Sequence, residues 1–81
     1  VITWVNKSQQ IHTVTAIQGT DPNNEKPAPN IFDSGLTTPI ATGATYTYTV
    51  TTAAYNFNPN HIVVYYCQFH PAMVGVLTIV P

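Results

Sequence analysis

Short runs of β-branched and aromatic residues, separated by turn signals, constrain the fold of this chain most. The segment "ATYTYTVTT" alternates small or apolar residues with Thr, which is typical of a half-buried strand, and "GVLTIV" suits a final core strand. Strands are predicted near residues 1–6, 11–17, 31–34, 44–52, 61–67 and 74–80. Strands at this spacing predict an all-β antiparallel sandwich or barrel.

The size and charge of the chain exclude several classes of function. With 81 residues, we predict one small domain spanning 1–81, near the lower limit for a self-supporting core. Two basic and three acidic residues give a net charge of −1, too little positive charge to neutralise several phosphates. Nucleic acid is therefore not an expected partner, and neither is an anionic membrane surface. No apolar run approaches the roughly 20 residues of a spanning helix.

A single cysteine, Cys67, rules out an internal disulfide. A small fold without that cross-link needs another source of stability, and a bound metal is a candidate. Taken alone, Cys67 is typical of a buried free thiol and Met73 of core packing.

The stretch "YYCQFHPAMVG" places the chain's only Cys and only Met on either side of a His, at equal intervals: Cys67, His70, Met73. In a tight loop after a strand, this interval can direct the first two side chains at one centre. His12 begins an apolar strand after a polar turn, so we expect it at the rim of the sandwich. His61 is predicted at the far end of its strand, about 20 Å from Cys67 at roughly 3.3 Å per residue.

Two His, one Cys and one Met favour copper over the alternatives. Structural zinc prefers four Cys or His ligands, and a thioether adds nothing to a catalytic zinc site. No C-x-x-C-H haem attachment motif is present. A trigonal His₂Cys set with a weak axial Met is the arrangement of mononuclear type 1 copper.

Two separated segments resemble those of the cupredoxin family. They are "Trp4-x-Asn6" followed by "His12-x-Val14", and "Tyr65-Tyr66-Cys67-x-x-His70-Pro71-x-Met73-x-Gly75". The short interval between His and Met is similar to that of amicyanin and of archaeal plastocyanin-like domains. "FDSG" and "TYTYTV" also resemble the middle of those domains, so the similarity extends over almost the whole chain.

The resemblance implies a Greek-key β-sandwich that lacks the usual N-terminal strands, since the chain begins at the Trp-x-Asn strand. It also implies one copper ion held by His12, Cys67 and His70, with Met73 as the axial ligand. An apolar strand edge left open in this way predicts pairing with another chain and hence an oligomer.

The resemblance also implies residues that position these ligands. Thr13 and Gln68 stand where the family ties its two ligand segments together by hydrogen bonds. Phe69 replaces the Pro that usually precedes the second His, and we expect its N–H to donate to the Cys67 sulfur.

By the same resemblance, the function is shuttling of single electrons between redox proteins, in an extracytoplasmic compartment, rather than catalysis. Partners would dock near His70, Pro71 and Ala72. The alternative is an enzyme: a mononuclear copper site with an open or water-filled axial position that reacts with a small molecule such as nitric oxide.

Overall fold

A computed structural model describes residues 1–21, 23–24, 26–70 and 72–80. In those ranges the regular structure is almost entirely strand. The elements are β1 (Ile2–Val5), β2 (Thr15–Ala16), β3 (Thr45–Tyr48), α1 (Thr52–Tyr55), β4 (Ile62–Tyr66) and β5 (Val74–Thr78). This confirms the prediction of a β-rich fold.

The strands form two antiparallel sheets. β1 pairs with β3 in one sheet, and β4 lies between β2 and β5 in the other. The β4–β5 pairing runs from Ile62 opposite Thr78 to Tyr66 opposite Val74. Residues 67–73 therefore connect two adjacent strands at one end of the second sheet.

Aromatic side chains link the two sheets through the core. Trp4 of β1 contacts Phe32 at a ring-centroid distance of 5.3 Å and Tyr65 of β4, edge to face, at 5.5 Å. Edge-to-face pairs of this kind contribute about 0.5–1.5 kcal/mol beyond their buried area. Because Tyr65 lies two residues before Cys67, this packing fixes the end of β4 from which the second predicted ligand segment leaves.

The predicted strand over 44–52 is wrong in its last part. β3 ends at Tyr48, and α1 begins at Thr52. The Thr51 hydroxyl accepts the Ala54 N–H at 3.2 Å, an N-cap that turns the chain into a helical turn. No helix in the described part of the chain is long and apolar enough to cross a membrane.

The predicted strand over 11–17 is interrupted for a different reason. The N–H groups of Thr13 and Val14 donate to side chains, the Cys67 sulfur and the Ser34 hydroxyl, rather than to a neighbouring strand. Only Thr15–Ala16 keeps regular pairing, and the predicted strand over 31–34 is reduced to a single bridge between Asp33 and Thr15.

Candidate metal centre

His12 is held at the site by backbone hydrogen bonds to a distant segment. Its N–H donates to the Ile40 carbonyl at 3.2 Å, and its own carbonyl accepts the Ile40 N–H at 2.8 Å. The partly buried imidazole points its Nδ1 at the Cys67 sulfur, 3.4 Å away. The rim position predicted for His12 therefore meets the loop after β4.

Cys67 and His70 come from that loop. The buried Cys67 directly follows β4, and its Sγ lies 3.6 Å from the Nδ1 of His70. The two imidazole rings lie at a centroid distance of 5.0 Å and are tilted by 54° to each other. His12, Cys67 and His70 each direct one donor atom to a common point, with all three atoms within 4.8 Å of one another.

These separations fit a single ion. With metal–nitrogen bonds near 2.0 Å and metal–sulfur bonds near 2.3 Å, nitrogen and sulfur ligands of one ion lie about 3.5–3.7 Å apart. The observed nitrogen–sulfur distances of 3.4 and 3.6 Å lie close to that range. The three residues therefore lie close enough together to hold one metal ion.

The loop that carries the site is closed by its own backbone hydrogen bonds. The His70 N–H donates to the Cys67 carbonyl at 3.1 Å, and the Met73 N–H donates to the His70 carbonyl at 2.8 Å. The Cys67 N–H donates back to the Met73 carbonyl at 3.1 Å, which extends the β4–β5 ladder by one step. Two successive turns thus set the positions of Cys67, His70 and Met73.

The sulfur of Cys67 accepts a hydrogen bond from the backbone N–H of Thr13 at 3.4 Å. Such a donor withdraws electron density from the sulfur. The expected donation from the Phe69 N–H to this sulfur is not among the hydrogen bonds that the described residues form. The N–H that donates to the sulfur belongs to Thr13, in the first ligand segment, instead of Phe69 in the second.

A chain of hydroxyl groups ties the two ligand segments together, as the family resemblance implied for Thr13 and Gln68. The Gln68 N–H donates to Thr13 Oγ1 at 2.9 Å, and this oxygen lies 3.0 Å from Thr15 Oγ1. Thr15 in turn donates to Asp33 Oδ1 at 2.9 Å. Because the one proton of Thr15 goes to the carboxylate, Thr13 is the donor to Thr15. The chain therefore runs in one direction, from Gln68 to Asp33.

A second group of polar residues holds the outer nitrogen of His12. Ser8 Oγ lies 2.7 Å from His12 Nε2 and 2.8 Å from Asn6 Oδ1. The Asn6 side chain is 7% exposed and donates through Nδ2 to the carbonyls of Gln10 and Ile40. The residues from Asn6 to Gln10 thus form a compact turn around the ring edge that faces away from Cys67.

Met73 shares a cavity with two of the three donor residues, His12 and Cys67. Its side chain is 51% exposed, and it lines a cavity of about 250 Å³ together with His12 and Cys67. The cavity is also lined by apolar residues that include Trp4, Val14 and Ile40. The assignment of Met73 as fourth ligand stays a prediction.

The remaining histidine is separate from the site, as its position in the sequence predicted. His61 precedes β4, at the end of the strand opposite Cys67, and its Nδ1 donates to the Tyr55 carbonyl at 2.7 Å. Its ring stacks on that of Tyr55 at 3.9 Å. Of the predicted docking residues, His70 is partly buried and Ala72 is exposed, whereas Pro71 lies outside the described residues.

Comparison of the chain with known protein families, with curated proteins and with solved structures finds no match.

Proposed function

We propose that this chain is a mononuclear copper protein of the cupredoxin type that carries single electrons between redox partners. The observation that carries the proposal is the convergence of His12 Nδ1, His70 Nδ1 and Cys67 Sγ from two distant segments. His12, Cys67 and His70 would hold the ion, and Met73 would supply a weak fourth ligand.

The donor set favours copper over other metals. Thiolate and thioether sulfur suit Cu(I), and imidazole suits copper in both oxidation states. A structural zinc site would need a fourth Cys or His, and the third histidine, His61, is hydrogen bonded at the opposite end of β4. Bound copper would supply one-electron redox chemistry at this position.

The protein's part in electron transfer is to hold the donors still. The backbone hydrogen bonds among Cys67, His70 and Met73 and the link from Gln68 to Thr13 constrain the ligand loop without using the metal-donor atoms. A site that does not rearrange between oxidation states needs little reorganisation for each transfer. His70 is only partly buried, so its ring edge offers a route for the electron.

The predicted partners are redox proteins that dock around His70, Pro71 and Ala72. With a net charge of −1, the chain has little means of electrostatic steering, so recognition would depend on apolar contact. An extracytoplasmic location follows from the family resemblance alone. Pairing through a strand edge is proposed because β1 and β5 each pair on one side within the described chain, and Val5 and Val76 on them are exposed.

One observation favours the enzyme alternative. The cavity of about 250 Å³ reaches His12, Cys67 and Met73, which gives a small molecule such as nitric oxide a path to the donors. If the fourth position is open or holds water, a ligand entering this cavity could bind there.

The test is a visible and EPR spectrum of the copper-loaded protein. An intense thiolate-to-copper charge-transfer band near roughly 600 nm, with a narrow copper hyperfine splitting, is the expected result for a Met-ligated site. Cys67→Ser should abolish the band, and His61→Ala, which leaves the three donors intact, should retain it. Absence of the band from the unmodified protein would contradict the proposal, and a spectrum that changes on addition of small anions would favour the enzyme.

A further inference from the structure

We propose that Ser8 is a positioning residue for the metal centre: its hydroxyl fixes His12 in the tautomer that is protonated at Nε2 and unprotonated at Nδ1. The contact that indicates this is the 2.7 Å distance between Ser8 Oγ and His12 Nε2. The inference deepens the proposed function, since it rests on His12 Nδ1 being a metal ligand.

The contacts of the Ser8 hydroxyl indicate which nitrogen of His12 carries the hydrogen. A hydroxyl donates one hydrogen bond and accepts up to two. Two oxygens that can only accept lie within reach of Ser8 Oγ, namely Asn6 Oδ1 at 2.8 Å and the Gln10 carbonyl at 3.0 Å. Donation of the single Ser8 proton to the nearer oxygen, Asn6 Oδ1, leaves the hydroxyl a lone pair towards His12. Donation to His12 instead would leave both oxygen–oxygen contacts without a proton between the two atoms, so the geometry favours His12 Nε2 as the nitrogen that carries the hydrogen.

The hydrogen bonds of the Asn6 amide determine which of its two atoms is the oxygen and which the nitrogen. Its Nδ2 lies 2.7 and 2.8 Å from the carbonyl oxygens of Gln10 and Ile40, which accept hydrogen bonds and cannot donate them. Its Oδ1 accepts the Ser8 N–H at 2.9 Å. A flipped amide would place oxygen against two carbonyl oxygens. Asn6 Oδ1 is therefore an acceptor, and Ser8 donates to it.

This arrangement prepares Nδ1 as a ligand. A neutral imidazole that is protonated at Nε2 has its lone pair on Nδ1, and that atom faces Cys67 Sγ at 3.4 Å. In the opposite tautomer an Nδ1–H would point at the sulfur, and an incoming ion would have to displace that proton. Hydrogen bonds to the outer nitrogen of a ligating His fix both tautomer and ring orientation, and losing one typically lowers metal affinity about 10–100-fold.

The first experiment needs no metal. Long-range ¹H–¹⁵N correlation spectra of the reduced, metal-free protein, at about pH 8 where neutral imidazole predominates, report which His12 nitrogen is protonated. We expect the Nε2–H form in the unmodified protein and a mixture of both forms in Ser8→Ala. A predominant Nδ1–H form in the unmodified protein would overturn the proposal, as would a Ser8→Ala spectrum that keeps the Nε2–H form unchanged.

The second experiment measures Co²⁺ affinity by optical titration. Ser8→Ala should bind Co²⁺ about 10–100-fold more weakly, and Ser8→Thr, which keeps the hydroxyl, should bind close to the unmodified level. Gln9→Ala, at the exposed neighbour of Ser8, is the matched control and should leave the affinity unchanged. Equal affinities in Ser8→Ala and Gln9→Ala would contradict the positioning role. If the copper spectrum fails but Co²⁺ binding depends on Ser8 as expected, the proposed copper function is wrong and the positioning role of Ser8 stands.

Discussion

Thr13 accepts a hydrogen bond at 2.9 Å from the backbone of Gln68, 55 positions away in the sequence. Each of these residues directly follows a predicted ligand, His12 in one segment and Cys67 in the other. The contact therefore fixes the separation of the two segments at the point where the donors meet. Asp33, through Thr15, anchors the far end of the same chain of hydroxyl groups.

Replacing Thr13 with Val should leave the Gln68 N–H without an acceptor at a partly buried site. An unsatisfied donor of this kind lowers the free energy of unfolding by about 1–3 kcal/mol. Urea unfolding of the metal-free protein measures the loss. Thr13→Ser keeps the hydroxyl and should recover most of it, whereas Thr37→Val, on an exposed loop, should have little effect. Equal stability of the Val and Ser variants would show that the hydroxyl does not tie the segments.

Met73→Leu tests the predicted fourth ligand. The swap conserves volume, so the free energy of unfolding should change by less than about 1.5 kcal/mol. Loss of this donor would leave the ion with three protein ligands, and a three-coordinate site favours Cu(I) over Cu(II), so the reduction potential should rise. Cyclic voltammetry of the copper-loaded protein gives the potential. Val76→Ala, exposed on β5 and outside the cavity lining, should leave it unchanged. A potential unaffected by Met73→Leu would indicate that the thioether does not bind.

Gly75→Ala should destabilise the β4–β5 hairpin next to the ligand loop. Gly75 lies opposite Tyr65, and a Cβ at this position would overlap the Tyr65 ring. Overpacking of this kind lowers the free energy of unfolding by about 1–3 kcal/mol. Thermal or urea unfolding measures the effect. The double variant Gly75→Ala, Tyr65→Val lacks the ring that the new Cβ would overlap. Its loss of unfolding free energy should therefore be smaller than the sum of the losses in the two single variants. Strict additivity would exclude contact with the Tyr65 ring as the cause.

Ionisation of the Tyr46 phenol should lower the stability of the fold at alkaline pH. Burial raises the pKa of Tyr46 above its usual value; a hydrogen bond with the Asp33 backbone opposes this shift, and the Asp33 charge adds to it. A pKa raised by folding means that the neutral phenol stabilises the fold below the pKa of the unfolded chain, about 10. That contribution is lost as the pH rises through the folded pKa. The free energy of unfolding should fall above about pH 10. The free energy of unfolding of Tyr46→Phe should fall less steeply with rising pH. A pH profile identical to that of the unmodified protein would contradict the assignment to Tyr46.

The parts of the fold that the sequence predicts are those encoded by local pattern. The β-branched run before Cys67 and the "GVLTIV" run correspond to β4 and β5 within one or two residues. The interval between Cys67 and His70 is likewise local, since one tight loop contains both. His12 was assigned from the end of a polar turn, and the structure brings its Nδ1 to the sulfur.

Other features depend on contacts between distant segments. The interruption of the 11–17 strand depends on Cys67 and Ser34 accepting the N–H groups of Thr13 and Val14, which no local pattern indicates. The role of Ser8 had a partial signal, because Asn followed two residues later by Ser is typical of a turn closed by the Asn side chain. That this turn meets the outer nitrogen of His12 follows only from the path of the loop.

The ligand loop is closed by three backbone hydrogen bonds in which none of the metal-donor atoms takes part. In small zinc domains the ion provides the free energy that folds the chain, so chelation unfolds them. Here the configurational entropy of Cys67, His70 and Met73 should be lost during folding rather than during uptake of the ion. Metal exchange should accordingly resemble ligand substitution in a rigid chelate: a competitor would remove the ion and leave the protein folded and ready to be reloaded.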